Sequence, residues 1–261
     1  MIISHKNKYL FVELPFTGST AISAELCENY DGISILKKHS RYHEFLQVAE
    51  EKEKNYFVFS CIRNPMDAVV SAFYKKKYNH GDRFTTKTEW KKYGGSLSNK
   101  DLRIYNDIKK NNMEFVDYFK KYFHLPYDNW SRLAHKEFDF IIKFENIESD
   151  FEKVLSLMNL KMKRPLPVKN KTVSKNVRYI DLFIPEIRKR AVNIFGPFMI
   201  DWDYKFPEDW NENEPSKFYT TAYRFLGALK YYYWRYTAKS TKNQRKEYRL
   251  NKDSNYNSFR R

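Results

Sequence analysis

The chain has 261 residues with a formal net charge of +16, and 42% of its residues are hydrophobic and 18% aromatic. That composition excludes a disordered chain and supplies enough apolar side chains for one large core, with or without an appendage. The charge is uneven, because residues 216–261 hold twelve Lys or Arg against two acidic residues, a net +10 that leaves +6 for the rest. A mildly basic body is therefore followed by a strongly basic tail.

The cysteines and the N-terminal residues indicate in which cellular compartment the protein is expected. Only Cys27 and Cys61 occur, and Cys61 lies inside the apolar run YFVFSCI, so the sequence predicts neither a disulfide framework nor a metal cluster. Lys6 and Lys8 interrupt the apolar residues at the start, and no run of about 18 apolar residues occurs, so we expect neither a secretory signal nor a membrane span. These features favour a cytoplasmic protein.

Apolar runs alternate with helical patterns in the first part of the chain, which predicts an α/β fold with a central parallel sheet flanked by helices. In chain order the predicted elements are a strand at 9–14, a helix at 19–30, a strand at 33–38, a helix at 44–52, a strand at 56–62 and a helix at 66–78 that Pro65 opens.

The second part begins with a polar, glycine-containing stretch at 79–100, which we expect to be a long loop able to act as a lid. Helices are predicted at 100–110 and 113–123, a buried strand at 138–144, a helix at 145–160 and an aromatic helix at 217–236. We therefore expect one domain at 1–214, then a basic aromatic helix and a mobile tail at 215–261. Deleting residues 241–261 is expected to leave the melting temperature nearly unchanged.

The stretch PFTGST, residues 15–20, joins the first predicted strand to the first predicted helix. N–H groups in the first turn of a helix have no partner within the helix, so those of Thr17, Gly18, Ser19 and Thr20 can form an anion-binding nest. Gly18 allows a close approach to a phosphate, and the three hydroxyl groups can donate to it. The alternative is an ordinary helix start, capped by Ser19 or Thr20.

A second candidate for phosphate binding lies in CIRNPMDAVVSAFY, residues 61–74. Arg63 follows a buried strand and Ser71 lies in the helix opened by Pro65, so the two side chains can converge on one phosphate. Arginine offers a planar fork of donors and serine a hydroxyl. The alternative is an arginine that covers the end of the sheet, with Ser71 bonded to its own helix.

Together the two stretches resemble the nucleotide-binding elements of sulfotransferases that use 3'-phosphoadenylyl sulfate (PAPS). In that family a P-K-x-G-T-T-like turn holds the 5'-phosphosulfate, and R-N-P-x-D-x-x-x-S binds the 3'-phosphate. PFTGST matches the first motif except at Phe16, and RNPMDAVVS matches the second in full. The resemblance extends over residues 9–207 and implies the P-loop-like nucleotide-binding fold, PAPS as co-substrate, 3',5'-adenosine diphosphate (PAP) as product, and no metal.

Three further stretches are similar to other elements of that family. ILKKHSRYHEF is similar to its K-T-H segment, which implies that His39 is the general base and that Lys37 takes the place of the segment's lysine. IIKFENIESDFEKVL implies an adenine contact by Phe144. VKNKTVSKN implies a loop that closes over the 3'-phosphate with Lys169 and Lys171, and the alternative is a solvated basic loop.

The residue at position 16 departs from the family pattern, because the lysine that bridges the 5'-phosphate and the transferring sulfate is replaced by Phe16. Lys37 lies two residues before His39 and is expected on the same strand face. The sequence therefore predicts that Lys37, or as second choice Lys38, supplies the missing charge. The nest itself can hold a phosphate through backbone donors.

These observations predict an enzyme that transfers a sulfuryl group from PAPS to a hydroxyl acceptor. A carbohydrate acceptor is favoured by the polar, aromatic-rich residues 78–130. Two alternatives remain. A PAP- or PAPS-binding protein without catalysis is supported by Phe16, and a nucleic-acid-binding protein is supported only by the basic tail. We do not expect nucleic acid as a partner. The helix at 217–236 is expected either to pack on the domain or to lie on an anionic membrane surface.

Overall fold

The computed structural model describes residues 1–86, 97–128, 138–168, 177–211, 214–237 and residue 248. The chain folds into two compact units. The first unit is Met1–Arg63, Asn129–Asn170 and Ala228–Arg261, and the second is Asn64–Asp128 and Lys171–Gly227. The predicted division into 1–214 and 215–261 is a different partition, and it stays a prediction.

Within the described residues, the first unit contains a five-stranded sheet in the order β3-β1-β2-β4-β5. The strands are β1 (Ile2–Ser4), β2 (Tyr9–Val12), β3 (Ile33–Ser34), β4 (Phe57–Ile62) and β5 (Phe140–Lys143). Strands β2, β4 and β5 run parallel, which confirms the predicted α/β fold, whereas β1 is antiparallel to both β2 and β3. The sheet is therefore mixed, with a parallel centre.

Both faces of the sheet are covered, which explains why β2 reads as an unbroken apolar run. Side chains alternate along a strand, so Tyr9 and Phe11 face one side while Leu10 and Val12 face the other. Helices α1 (Ser19–Asn29) and α6 (Ile147–Leu157) pack on the Phe11 side. The short helix α2 (Tyr42–Leu46) packs on the Leu10 side.

The segment after β3 differs from the prediction of a strand at 33–38. Pairing stops at Ser34, because Leu36 at φ 53° and His39 at φ 65° adopt left-handed conformations that a strand cannot contain. The predicted helix at 44–52 is also misplaced. Its observed counterpart, α2, begins earlier because Arg41 and Glu44 form a capping box at its start.

The second unit is helical in its described part. It contains α3 (Pro65–Lys77), α4 (Asn99–Lys110), α5 (Phe115–Tyr122) and α7 (Pro185–Asp201), and α8 (Lys217–Thr237) begins in it. The helices share one core that includes Phe73, Phe119 and Phe195. Asn64 caps α3 by accepting the N–H of Met66, and Pro65 occupies the first helical position. None of the helices in the described ranges has the length and apolar content needed to cross a bilayer.

Tyr248, in the basic segment that follows α8, is buried. The side chain of Tyr248 is 2% exposed, packs in the core on the Leu10 side of the sheet, and donates its hydroxyl to Oε2 of Glu53 at 2.6 Å. Burial, followed by this carboxylate, raises the pKa of Tyr248, so the phenol keeps its proton and remains a donor. Tyr248 thus belongs to the folded first unit, although the sequence predicted a mobile segment there.

We predict that Tyr248→Phe lowers the free energy of unfolding by about 2 kcal/mol, because the buried Glu53 carboxylate loses a charge-assisted hydrogen bond. Urea unfolding measures the change. Tyr236→Phe is the matched control, since the Tyr236 side chain is 71% exposed. Deleting residues 241–261 should also be destabilising, contrary to the expectation from sequence. Equal stability of the two tyrosine variants would contradict the assignment.

Candidate functional site

The turn between β2 and α1 is built around the carbonyl of Leu14. Thr17 Oγ1 donates to this oxygen at 3.0 Å and Ser19 Oγ at 2.9 Å, and both side chains are buried. The two hydroxyl groups predicted to donate to an anion therefore donate to the backbone instead. They shape the turn, and the backbone N–H groups are left as its donors toward an anion.

Cys61 in β4 and Arg63 just after β4 donate hydrogen bonds to two further carbonyls of this turn. The thiol of Cys61 donates to the oxygen of Thr17 at 2.9 Å, and Nη1 of Arg63 donates to the oxygen of Phe16 at 3.2 Å. Burial raises the pKa of the Cys61 thiol, so it stays protonated as a donor. With its carbonyls bonded from the sheet side, the turn is organised before any ligand arrives.

Gly18 is required by both conformation and space. It is the residue that precedes α1, with φ +76°, and a Cβ there would lie 2.7 Å from Ile147 Cδ1 and 3.0 Å from Phe144 Cδ2. Among the described residues, no side chain caps α1. The first-turn N–H groups of Ser19 and Thr20 are thus available to an anion, and the positive end of the helix dipole adds to the attraction.

A lysine lies beside this helix start, but not the one that the sequence favoured. Nζ of Lys38 donates to Thr20 Oγ1 at 3.0 Å, whereas Lys37 is exposed. The argument for Lys37 was wrong in its premise, because residues 37–39 do not form a strand and share no strand face. The second choice, Lys38, is the lysine that contacts the turn in the described residues. Any catalytic role for either lysine stays a prediction.

His39 is held by the backbone at the end of β2. Its Nδ1 lies 3.1 Å from the carbonyl oxygen of Glu13, and a carbonyl can only accept, so Nδ1 carries the proton and donates. Nε2 then keeps its lone pair. Burial, opposed in part by this hydrogen bond, lowers the pKa of His39 to about 4, so the ring is neutral at neutral pH. A neutral imidazole with a basic Nε2 is the form that a general base requires.

The residues predicted to hold the rest of a nucleotide are only partly brought together. The guanidinium carbon of Arg63 lies 4.2 Å from the centre of the Phe144 ring, and that ring also borders Gly18. Arg63, Phe144 and the turn thus form one cluster. Ser71 is buried in α3 of the second unit, so its convergence with Arg63 stays a prediction.

Two predicted residues, Lys169 and Lys171, lie outside the described residues. The sequence reasoning missed the support given by Leu14 and Cys61. The three-residue spacing of Leu14 and Thr17 fits a hydroxyl that bonds a nearby backbone group, and this signal could have revealed half of that support. Within the described ranges, His, Cys, Asp and Glu side chains do not gather in groups of three or more able to hold a metal ion.

Comparison with known protein families gives a match over most of the chain. A sequence model of the sulfotransferase family matches residues 1–195, about three quarters of the chain. The match includes the turn, Lys38, His39, Arg63 and Phe144, and it ends before α8. No curated protein and no solved structure matches the chain.

We predict that the His39 ring titrates near pH 4, whereas an unperturbed histidine titrates at about pH 6.5. Between these values the unfolded chain binds a proton that the native ring does not, so His39 makes stability fall as the pH drops from 6.5 toward 4. An NMR titration of the imidazole carbons measures the pKa, and His39→Asn identifies the signal. A midpoint near the ordinary histidine value would show that the ring is not buried as described.

Proposed function

The chain belongs to the sulfotransferase family, and from that premise we propose that it transfers a sulfuryl group from PAPS to a hydroxyl of a carbohydrate acceptor. The observation that carries the donor half of the proposal is the turn at residues 14–20. Its carbonyls accept hydrogen bonds from Thr17, Cys61 and Arg63, and no described side chain caps the start of α1. Such a turn supplies backbone donors at fixed positions, which suits the 5'-phosphosulfate of PAPS.

The fit of the donor can be argued group by group. The N–H groups of Ser19 and Thr20 hold the 5'-phosphosulfate, and the lack of a side chain at Gly18 lets the turn pack against Ile147 and Phe144. Lys38, bonded to Thr20, brings the positive charge that Phe16 cannot supply. Arg63, stacked on Phe144, is the candidate for the 3'-phosphate. In this proposal Lys38 takes the role that the sequence gave first to Lys37.

In the reaction, a bond forms between the acceptor oxygen and sulfur while the bond between sulfur and the bridging oxygen of the donor breaks. The acceptor's hydroxyl proton passes to Nε2 of His39, and PAP leaves with the electron pair of the broken bond. Lys38 stabilises the charge that develops on the bridging oxygen. A ring with a pKa near 4 is a weak base, but the phosphates of a bound donor favour its protonated form and raise that pKa.

The acceptor is proposed from the family and from the composition of one segment. A hydroxyl-bearing acceptor follows from sulfuryl transfer in this family, and the carbohydrate class rests on the polar, aromatic-rich composition of residues 78–130. In the described part of that range, Tyr78 is 49% exposed and its ring stacks on Tyr74 at 5.9 Å. The exposed ring of Tyr78 offers a flat surface on which a sugar ring can lie. A cytoplasmic location remains part of the proposal.

The function is tested by transfer of radiolabelled sulfate from PAPS to a panel of carbohydrates, together with calorimetric binding of PAP. We predict that His39→Asn lowers kcat by about a hundredfold or more while the Kd for PAP changes by less than about twofold, because only the base is lost. Lys38→Ala should also lower kcat. Lys37→Ala is its matched control and should behave like the wild type.

Two results would contradict this assignment. If the wild type binds PAP but sulfates no acceptor, the chain is a nucleotide-binding protein without catalysis. If Lys37→Ala is the damaging variant, the sequence-based choice was right and the observed contact of Lys38 with Thr20 is not catalytic. Phe16→Lys in the Lys38→Ala background should restore part of the turnover if both side chains reach the same oxygen.

We also propose that α8 contacts an anionic membrane surface. In the first unit this helix exposes Leu229, Tyr232, Tyr233 and Tyr236, each more than half exposed. The spacing i, i+3, i+4 and i+7 places them on one face of the helix. Residues 217–237 contain four Lys or Arg and no acidic residue. An apolar aromatic face with basic neighbours and no carboxylates is typical of a helix that lies in a lipid interface.

For this contact we predict that the protein cosediments with phosphatidylcholine vesicles only when phosphatidylserine is included, because the basic residues need an anionic partner. The double variant Leu229→Ser/Tyr236→Ser should lose binding. Leu157→Ser removes an equally exposed leucine from α6 and is the control. Equal binding of all three proteins would rule out this face as the contact.

A further inference from the structure

The segment that carries Lys38 and His39 is strained and lacks the regular hydrogen bonds of a strand or helix. Leu36 at φ 53° and His39 at φ 65° are left-handed, a conformation that is unfavourable for a residue with a side chain. The segment is held by a turn from the Ser40 N–H to the Lys37 carbonyl and by the side-chain contacts of Lys38 and His39. A strained segment keeps one conformation only when its surroundings impose it.

The segment ends at Arg41, whose side chain is held by the far end of the chain. Arg41 is the capping residue of α2, and its backbone N–H donates to Glu44 Oε2 at 2.7 Å. The guanidinium carbon lies 3.1 Å from the centre of the Trp234 ring in α8, and the side chain is 15% exposed. A planar guanidinium stacked on an indole is a strong and directional contact. It fixes a residue two positions after His39.

The rest of α2 meets the same region of the chain. The ring of His43 lies 5.6 Å from that of Tyr231, edge to face, and Phe45 lies 6.4 Å from Tyr248 in the same manner. Tyr248 is in turn bonded to Glu53. Residues from the C-terminal end therefore contact Arg41, His43 and Phe45. Tyr42, Phe45 and Tyr248 also share the core on the Leu10 side of the sheet.

We propose that Tyr231, Trp234 and Tyr248 form a C-terminal brace that positions Lys38 and His39 for catalysis. The inference rests on the proposed function for the catalytic part only. The brace holds α2 and with it Arg41, and Arg41 limits where the segment at 36–41 can lie. Without it the segment relaxes toward unstrained conformations, Nδ1 of His39 leaves the Glu13 carbonyl, and Nζ of Lys38 leaves Thr20. The turn at 14–20 is held by other bonds and keeps its donors.

The consequence is a separation of two properties. Donor binding depends on the turn at 14–20, which is held from β4, and on Arg63, which stacks on Phe144. Turnover depends on the position of the base, and a displacement of about 1 Å can cost as much as a hundredfold. The brace residues are therefore positioning residues, and loss of the brace should lower kcat without a matching change in nucleotide affinity.

The test compares Trp234→Leu with Phe225→Leu, which changes an exposed aromatic residue of the same helix. For Trp234→Leu we expect kcat to fall by about tenfold to a hundredfold, while the Kd for PAP stays within about threefold of the wild type. Two readouts do not need activity. The pKa of His39 should rise from about 4 toward the ordinary value, and amides 36–46 should exchange faster with deuterium.

Trp234→Phe and Arg41→Lys guard against a variant that fails to fold. Phenylalanine keeps an aromatic face and should restore part of kcat, whereas lysine keeps the charge but loses the planar stack and should not. The proposal is overturned if Trp234→Leu matches Phe225→Leu in titration and exchange, or if Arg41→Lys matches the wild type in both. A wild type without transferase activity would overturn the proposed function alone, since titration and exchange still test the brace.

Discussion

The candidate site depends on the carbonyl of Leu14 accepting two hydroxyl groups at once. Thr17 and Ser19 both donate to that oxygen, and this pair of hydrogen bonds closes the chain into a turn whose next carbonyls are reached by Cys61 and Arg63. With these oxygens occupied, the amide hydrogens at the start of α1 are the donors that the turn offers to an anion. The position of the turn against α6 then demands a residue without a side chain at Gly18.

Much of the central sheet could be predicted from local sequence because burial on both faces leaves an uninterrupted apolar run. Strands β2 and β4 satisfy that condition, and both were found within two residues of their bounds. Strand β1 was missed, since three residues carry no period of their own and its place depends on pairing with β2. The end of β3 was missed because nothing in a leucine marks the left-handed conformation of Leu36.

The site shows the same division between local and distant causes. The type of turn at 15–20 could be predicted, because a glycine among hydroxyl residues after a strand favours a helix start. The direction of the hydroxyl groups could not, since it depends on which carbonyl lies within reach. The strand at 33–38, on which the preference for Lys37 over Lys38 depended, was wrong for a related reason: Leu36 adopts a left-handed conformation, and the residues beyond it share no strand face. Arg41 and Trp234 are far apart in the chain, so no local sequence pattern predicts that their side chains stack.

The left-handed Leu36 also affects whether the sheet can pair with the sheet of another copy of the chain. It ends β3 after Ile33–Ser34, so this edge of the sheet pairs over two residues only. The opposite edge strand in the described residues, β5, spans Phe140–Lys143 and ends on a lysine. Short edges and charged edge residues give another chain few backbone groups to pair with. The turn that shortens β3 next to the candidate catalytic segment thereby protects an aromatic-rich sheet against edge-to-edge aggregation.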